Sequence, residues 1–373
     1  NVTGNVGNVL LKTSELGEAT TANITLNNLI TSTKGNVSLD AADGITASAT
    51  GDITLSAAGK TVDALAVNDI GMADGTVFMT NNGAVRLETT AGGITLGQIN
   101  AGTTGNVALL ATVGTVVDLA DAAAVDVFGG GLLVRTTNLG SAANPVETSL
   151  TTLAVSVTST DLFVTESDDV ATGTVTVTAN RVAITGSSAA LGAETQNDIA
   201  SSGVVVLTTV NGALTIGDGD ANGTGVSAPG NILLVTGETG EGGEDDADDL
   251  TLNGAVVSAT GHITLQVADD LIMSAAGDLT TQAASMNIDV TAGSDITMSD
   301  GAKAQTNNGA IRFTATAGDL TVGEFNAGTQ NVILTAVAGS ILDLTTDTST
   351  VDVTATALIL AAAKRLPTYF GAQ

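Results

Sequence analysis

The chain has no cysteine and no tryptophan, only three prolines, one histidine, six phenylalanines and one tyrosine among 373 residues. Without thiols there is neither a disulfide framework nor a thiolate metal site. With so few rings, an apolar interior must be narrow and built from Val, Ile, Leu and Ala. Basic residues are scarce too: ten Lys and Arg stand against 39 Asp and Glu, a net charge of −29. Nucleic acid is therefore a poor partner, because phosphate binding rests largely on Lys and Arg. An anionic membrane surface is excluded on the same ground. No apolar run approaches the roughly 18 residues of a membrane span, the longest being stretches such as Ala357 to Ala363. No initiator Met, basic segment and apolar segment open the chain, so any secretion signal is expected to have been removed or to lie outside it.

What is abundant is glycine, 45 residues, in a chain that is 43% hydrophobic. Much of residues 1 to 137 recurs about 226 positions later. Asn82-Gly83-Ala84-Val85-Arg86-Leu87 returns as Asn308-Gly309-Ala310-Ile311-Arg312-Phe313, and Val125-Asp126-Val127 returns as Val351-Asp352-Val353. The expected organisation is a first long unit over 1–226, a partial second unit over 227–360, and a tail over 361–373. Within each unit a shorter rhythm repeats: Gly, then Asn or Asp, then an apolar-polar-apolar triplet. Gly35-Asn36-Val37-Ser38-Leu39 and Gly230-Asn231-Ile232-Leu233-Leu234 are examples. Period-two alternation of this kind marks short half-buried strands. The Gly-Asn steps mark the corners, where positive φ is cheap for Gly and tolerable for Asn.

A β-sandwich closes after about 100 residues, whereas this pattern continues along the chain. The expected fold is all-β, a right-handed parallel β-helix or β-solenoid. Coils of roughly 20 residues would give about 19 turns and a rod on the order of 90 Å long.

The Gly-Asn-Val/Ile strands, the acidic cysteine-free composition and the segment Ala143-Asn144-Pro145-Val146-Glu147-Thr148 resemble filamentous-haemagglutinin-type bacterial exoproteins and related giant surface adhesins. That resemblance implies export, folding outside the cell into a β-helical shaft, and a structural or adhesive role with no catalytic motif. Self-association into fibres and contact with host or cell-surface glycans follow as expectations, without nucleic acid or membrane insertion as partners.

Two acidic stretches are candidate Ca²⁺ ligands. Asp218, Asp220 and Asn222 match the first half of a calcium loop, with oxygens at alternate positions around a Gly turn; the twelfth position is Pro229 instead of Glu. Glu244, Asp245, Asp246, Asp248 and Asp249 belong to a run of carboxylates starting at Glu238, whose repulsion a divalent cation would relieve. The plainer alternatives are an acidic turn and a solvated loop. His262 takes the place of Asn36 one long unit earlier, which reads as a polar corner. Arg86 and Arg312 recur in register and are expected to project outward as surface charges. In the tail, a short helical turn over Ala361 to Leu366 would carry Lys364 and Arg365, with Tyr369 and Phe370 following. These four are candidate assembly contacts, as an end cap or a joint to another subunit. Two further functional readings stay open: a Ca²⁺-dependent assembly module, and a carbohydrate-active β-helix using clustered Asp.

Overall fold

Alternating apolar residues become inward-facing columns because each strand pairs in parallel with the strand one coil later. A computed structural model describes residues 2–4, 7–15, 22–119, 125–239, 248–343 and 351–367. Among them there is no helix, and the chain is a parallel β-solenoid of about 13 turns. It divides into two compact units: Asn1–Thr165 with Thr174–Asn197, and Glu166–Gly173 with Asp198–Gln373.

In the first unit one column runs Val9, Val37, Val62, Val85, Val107, Leu132, Leu153, each residue registered on the next. A second runs Ile24, Ile45, Ile70, Ile94, Val116, and a third Ile30, Ile53, Phe78, Ile99, Val127. The second unit repeats the plan. Its columns are Val205, Ile232, Ile263, Ile288, Ile311, Val332, Leu358; Leu214, Leu250, Leu271, Ile296, Leu320, Ile341; and Ile199, Val226, Val256, Leu279, Ala304, Phe325. Each coil thus has three strands. Nearly all of these side chains are fully buried, so the interior is the slender aliphatic core that the shortage of rings demands. Phe313 and Phe325 share that core edge to face, with ring centroids 5.0 Å apart.

The coil number corrects the expected 19 turns. Contacts from one coil to the next span 21 residues between Thr329 and Asn308 and 31 between His262 and Asn231. Three strands and three corners need more chain than the assumed 20 residues, so fewer coils result.

At the corners, side-chain amides stand in for strand pairing. Asn36 Oδ1 accepts the Thr61 N–H at 2.9 Å. Its counterpart His262 does the same through Nδ1, accepting the Asn287 N–H at 2.9 Å, while its own N–H donates to Asn231 Oδ1 at 2.8 Å. His262 is therefore one rung of an amide ladder, as its alignment with Asn36 implied. Positive φ does not explain the glycines of the Gly-Asn steps, which corrects that expectation. Gly35 and Gly261 are absent from the left-handed residues. A Cβ on Gly35 would lie 2.2 Å from Gly7 O, and one on Gly261 2.3 Å from Gly230 C. These glycines are selected by the closeness of the neighbouring coil's backbone.

The tail is also corrected. Ala357–Ala362 is a strand paired with Asn331–Ala336, because Leu358 and Leu360 continue the inward columns. Lys364 N–H donates to Gly339 O, and Arg365 O accepts from Ile341 N–H, both at 2.9 Å. Ala361 and Ala362 are thus part of the last described coil, with Lys364 and Arg365 tied to it by their backbone. Tyr369 and Phe370 lie outside the described residues.

Candidate functional site

The first unit carries a feature that strand periodicity does not reveal. Residues 174–197 leave the coil as two antiparallel hairpin segments, Thr174–Val177 with Glu194–Asn197 and Asn180–Val182 with Ser188–Ala190. This strap lies along the outer face of one sheet, crossing successive coils. Val175 and Val177 pack on the outward side chains of Ala108, Leu110, Leu133 and Ala154. Further along, the Val182 N–H donates to Ser38 Oγ at 2.9 Å, Asn36 Nδ2 to Ser188 Oγ at 3.0 Å, and Asn8 Nδ2 to Gly186 O at 2.9 Å.

Beneath the strap six charges pair. Arg86 Nη1 donates to Asp63 Oδ1 at 3.1 Å and also pairs with Glu88. From the strap, Arg181 reaches the other oxygen of Asp63, while Glu194 takes Arg135 at 2.8 Å and lies 3.6 Å from Arg86. Three guanidinium groups face three carboxylates. Arg86 is therefore only 6% exposed, which overturns its reading as a projecting surface charge. Arg312, its duplicate, keeps that reading: it pairs with Asp289 at 2.7 Å with side chains 55% and 39% exposed. The signal for the strap was present in the sequence. Val107 to Ala111, Leu132 to Val134 and Leu153 to Val155 abandon alternation, and apolar residues on both faces of a strand require cover on both.

The carboxylates form two triads among the described residues, Asp118 with Asp126 and Glu147, and Asp198 with Asp218 and Asp220. The first settles its charge with a proton. Asp126, 3% exposed, is pushed up to about 9, chiefly by burial and further by the charges of Asp118 and Glu147. In the second, Asp218 and Asp220 come together as their motif suggested, but Asn222 does not join them. Its Oδ1 accepts the Thr224 N–H at 2.8 Å, closing a tight turn. Asp198 enters instead, a residue the linear motif missed. It lies 21 positions before Gly219, one short coil away, so only the coil length would have revealed it.

Asp248 and Asp249 are not gathered into either triad. Asp249 starts a ladder in which each Oδ1 accepts the N–H of the next coil: Asp249 from Asp270 at 3.1 Å, Asp270 from Asp295 at 2.7 Å, and Asp319 from Ser340 at 2.7 Å. Asp248 is buried, its carbonyl taking the Thr236 hydroxyl at 2.8 Å. Glu244, Asp245 and Asp246 lie outside the described residues.

Such crowding gives stability an inverse pH dependence. Asp269 rises to about 6, first through burial and then through Asp270 and Asp249; Asp249 and Asp278 are raised as well, burial leading in both. A carboxyl whose pKa rises on folding keeps its proton in the native chain after the unfolded chain has lost it. The associated stability is complete below the unfolded value near 4 and is lost as pH climbs through the native one. Melting temperature followed by circular dichroism should therefore fall between about pH 5 and pH 9. Asp126→Asn should flatten the upper part of that curve, where Asp126 contributes up to about 1.4 kcal/mol per pH unit. A melting temperature that climbs across the window would contradict the assignment.

No family model, curated protein or solved structure matches the chain.

Proposed function

We propose that this chain is a structural segment of an extracellular bacterial surface fibre that acts mechanically and performs no chemistry. The supporting observation is the regular stacking of the coils: in each unit columns of inward apolar residues pass from coil to coil in parallel register, as from Val62 to Val85 in the first and from Ile263 through Ile288 and Val332 to Leu358 in the second. Coils of separate chains stacked in the same register would lengthen such a column, which is growth by strand addition. A right-handed wind, a secreted location and attachment to glycans are the family-like parts of this reading, consistent with the resemblance drawn from the Gly-Asn strands.

The acidic surface makes such growth depend on salt, because like charges on successive segments repel until screened. Electron microscopy of the full chain at rising concentration and ionic strength is expected to show filaments whose fibre diffraction carries the ~4.8 Å spacing of stacked strands. Leu358→Asp should shorten or abolish them. A monodisperse monomer under every condition, or filaments indifferent to Leu358→Asp, would reject the proposal. A reducing-sugar assay on acidic polysaccharides checks the non-catalytic half, which turnover would overturn.

A further inference from the structure

The Asp198 triad, unlike the Asp126 triad, includes an exposed residue, Asp220. Asp198 is 6% exposed, sits at a left-handed φ of 52°, and precedes the strand Ile199–Ser201. Its Oδ1 accepts the Gly219 N–H at 2.6 Å, and the Asp220 N–H also faces this carboxylate. Its Oδ2 is buried without a hydrogen-bond partner. A carboxylate oxygen held in that state costs several kcal/mol unless something positive or protic meets it.

The neighbours offer only more negative charge. One oxygen from each of Asp198, Asp218 and Asp220 lies within 4.8 Å of the others, and none of the ion pairs among the described residues involves these three. Asp218 is fixed by the N–H groups of Asn222 and Gly223, at 3.1 and 2.7 Å. Asp220 is exposed at the tip of the turn, leaving an open side for water.

We propose that Asp198, Asp218 and Asp220 bind one Ca²⁺ ion, with solvent water completing its shell. Calcium takes oxygen ligands at about 2.3 to 2.6 Å, so oxygens up to roughly 4.6 to 5.2 Å apart can share one ion, and those of this triad lie within 4.8 Å of one another. The set is all oxygen and has no imidazole or thiolate, which disfavours zinc and copper. Three charges on a partly open turn suit the weak affinity range of extracellular calcium modules, about 10⁻⁴ to 10⁻³ M. The ion would brace two successive coils, since Asp198 leads into Ile199, and Ile199 is registered on Val226 just beyond the turn.

Isothermal titration of the full chain with CaCl₂, at physiological ionic strength and with excess Mg²⁺ to suppress diffuse binding, tests this. Wild type is expected to bind one ion more than Asp198→Asn and one more than Asp220→Asn. Calcium should raise the melting temperature of wild type and leave both variants nearly unchanged. Asp220→Asn is a surface change that cannot unfold the coil, so the comparison stands even if Asp198→Asn is destabilised. Equal stoichiometry in wild type and Asp220→Asn, or calcium uptake fully displaced by Mg²⁺, overturns the assignment.

Discussion

Asp63→Asn should destabilise the first unit by about 3 to 5 kcal/mol, while the same change at its repeat-mate, Asp289→Asn, should cost less than about 1 kcal/mol. Asp63 has no exposed surface and accepts from two arginines, Arg86 below the strap and Arg181 within it. An amide there leaves two guanidinium groups facing each other in a place that water reaches poorly. Asp289 holds one arginine, and both partners are well exposed. Solvent screening and free side-chain motion make such a surface pair nearly worthless. Because the two sites share strand register and flanking sequence, the difference isolates the strap as its cause. Native-state hydrogen exchange of Val62–Ala66 and Val85–Thr89, compared with Ile288–Ala292 and Ile311–Ala315, reads the effect coil by coil, which suits an array that need not unfold in one step. Equal loss of protection at both places would show that the strap does not matter.

Gly309→Ala should cost about 3 kcal/mol, although alanine suits the local backbone conformation. A Cβ at Gly309 would fall 1.7 Å from Met286 O, and one at its repeat-mate Gly83 would fall 1.9 Å from Lys60 O. Carbonyl oxygens of the adjacent coil cannot turn aside as a flexible side chain can, so the coils must separate and lose their pairing. Gly71→Ala is the control: nothing lies within 4 Å of its added carbon, and its φ is not left-handed. There alanine should be neutral or stabilising by up to about 1 kcal/mol through the unfolded chain's entropy. Thermal melts of the two variants, monitored by circular dichroism, separate crowding between coils from turn conformation. A Gly309→Ala melt indistinguishable from wild type would refute the crowding argument.

The left-handed residues beside these glycines make the same point. Asn82 and Asn308 adopt φ of 57° and 58°, and Asn308 Oδ1 accepts both the N–H and the hydroxyl of Thr329 at 2.9 Å. In both of these Asn-Gly corners the asparagine takes the unusual conformation and the glycine makes room. A sequence displays the pair but does not divide the labour, because the crowding carbonyl comes from a coil more than 20 residues away.

What the sequence determined by itself is the set of properties that depend on near neighbours. Period-two alternation set the strands and their inward columns, the shortage of rings set a thin aliphatic core, and the duplication set which corners correspond, as Asn36 and His262 show. Tertiary structure alone decided how long a coil is, that Asp198 meets Asp218 and Asp220, and that Arg86 is buried while Arg312 is exposed. The physical reason is the range of the interaction. Which way a side chain points is settled by its own strand, but what meets it there depends on chain arriving from the next coil or, at Asp63, from a strap 118 residues further on.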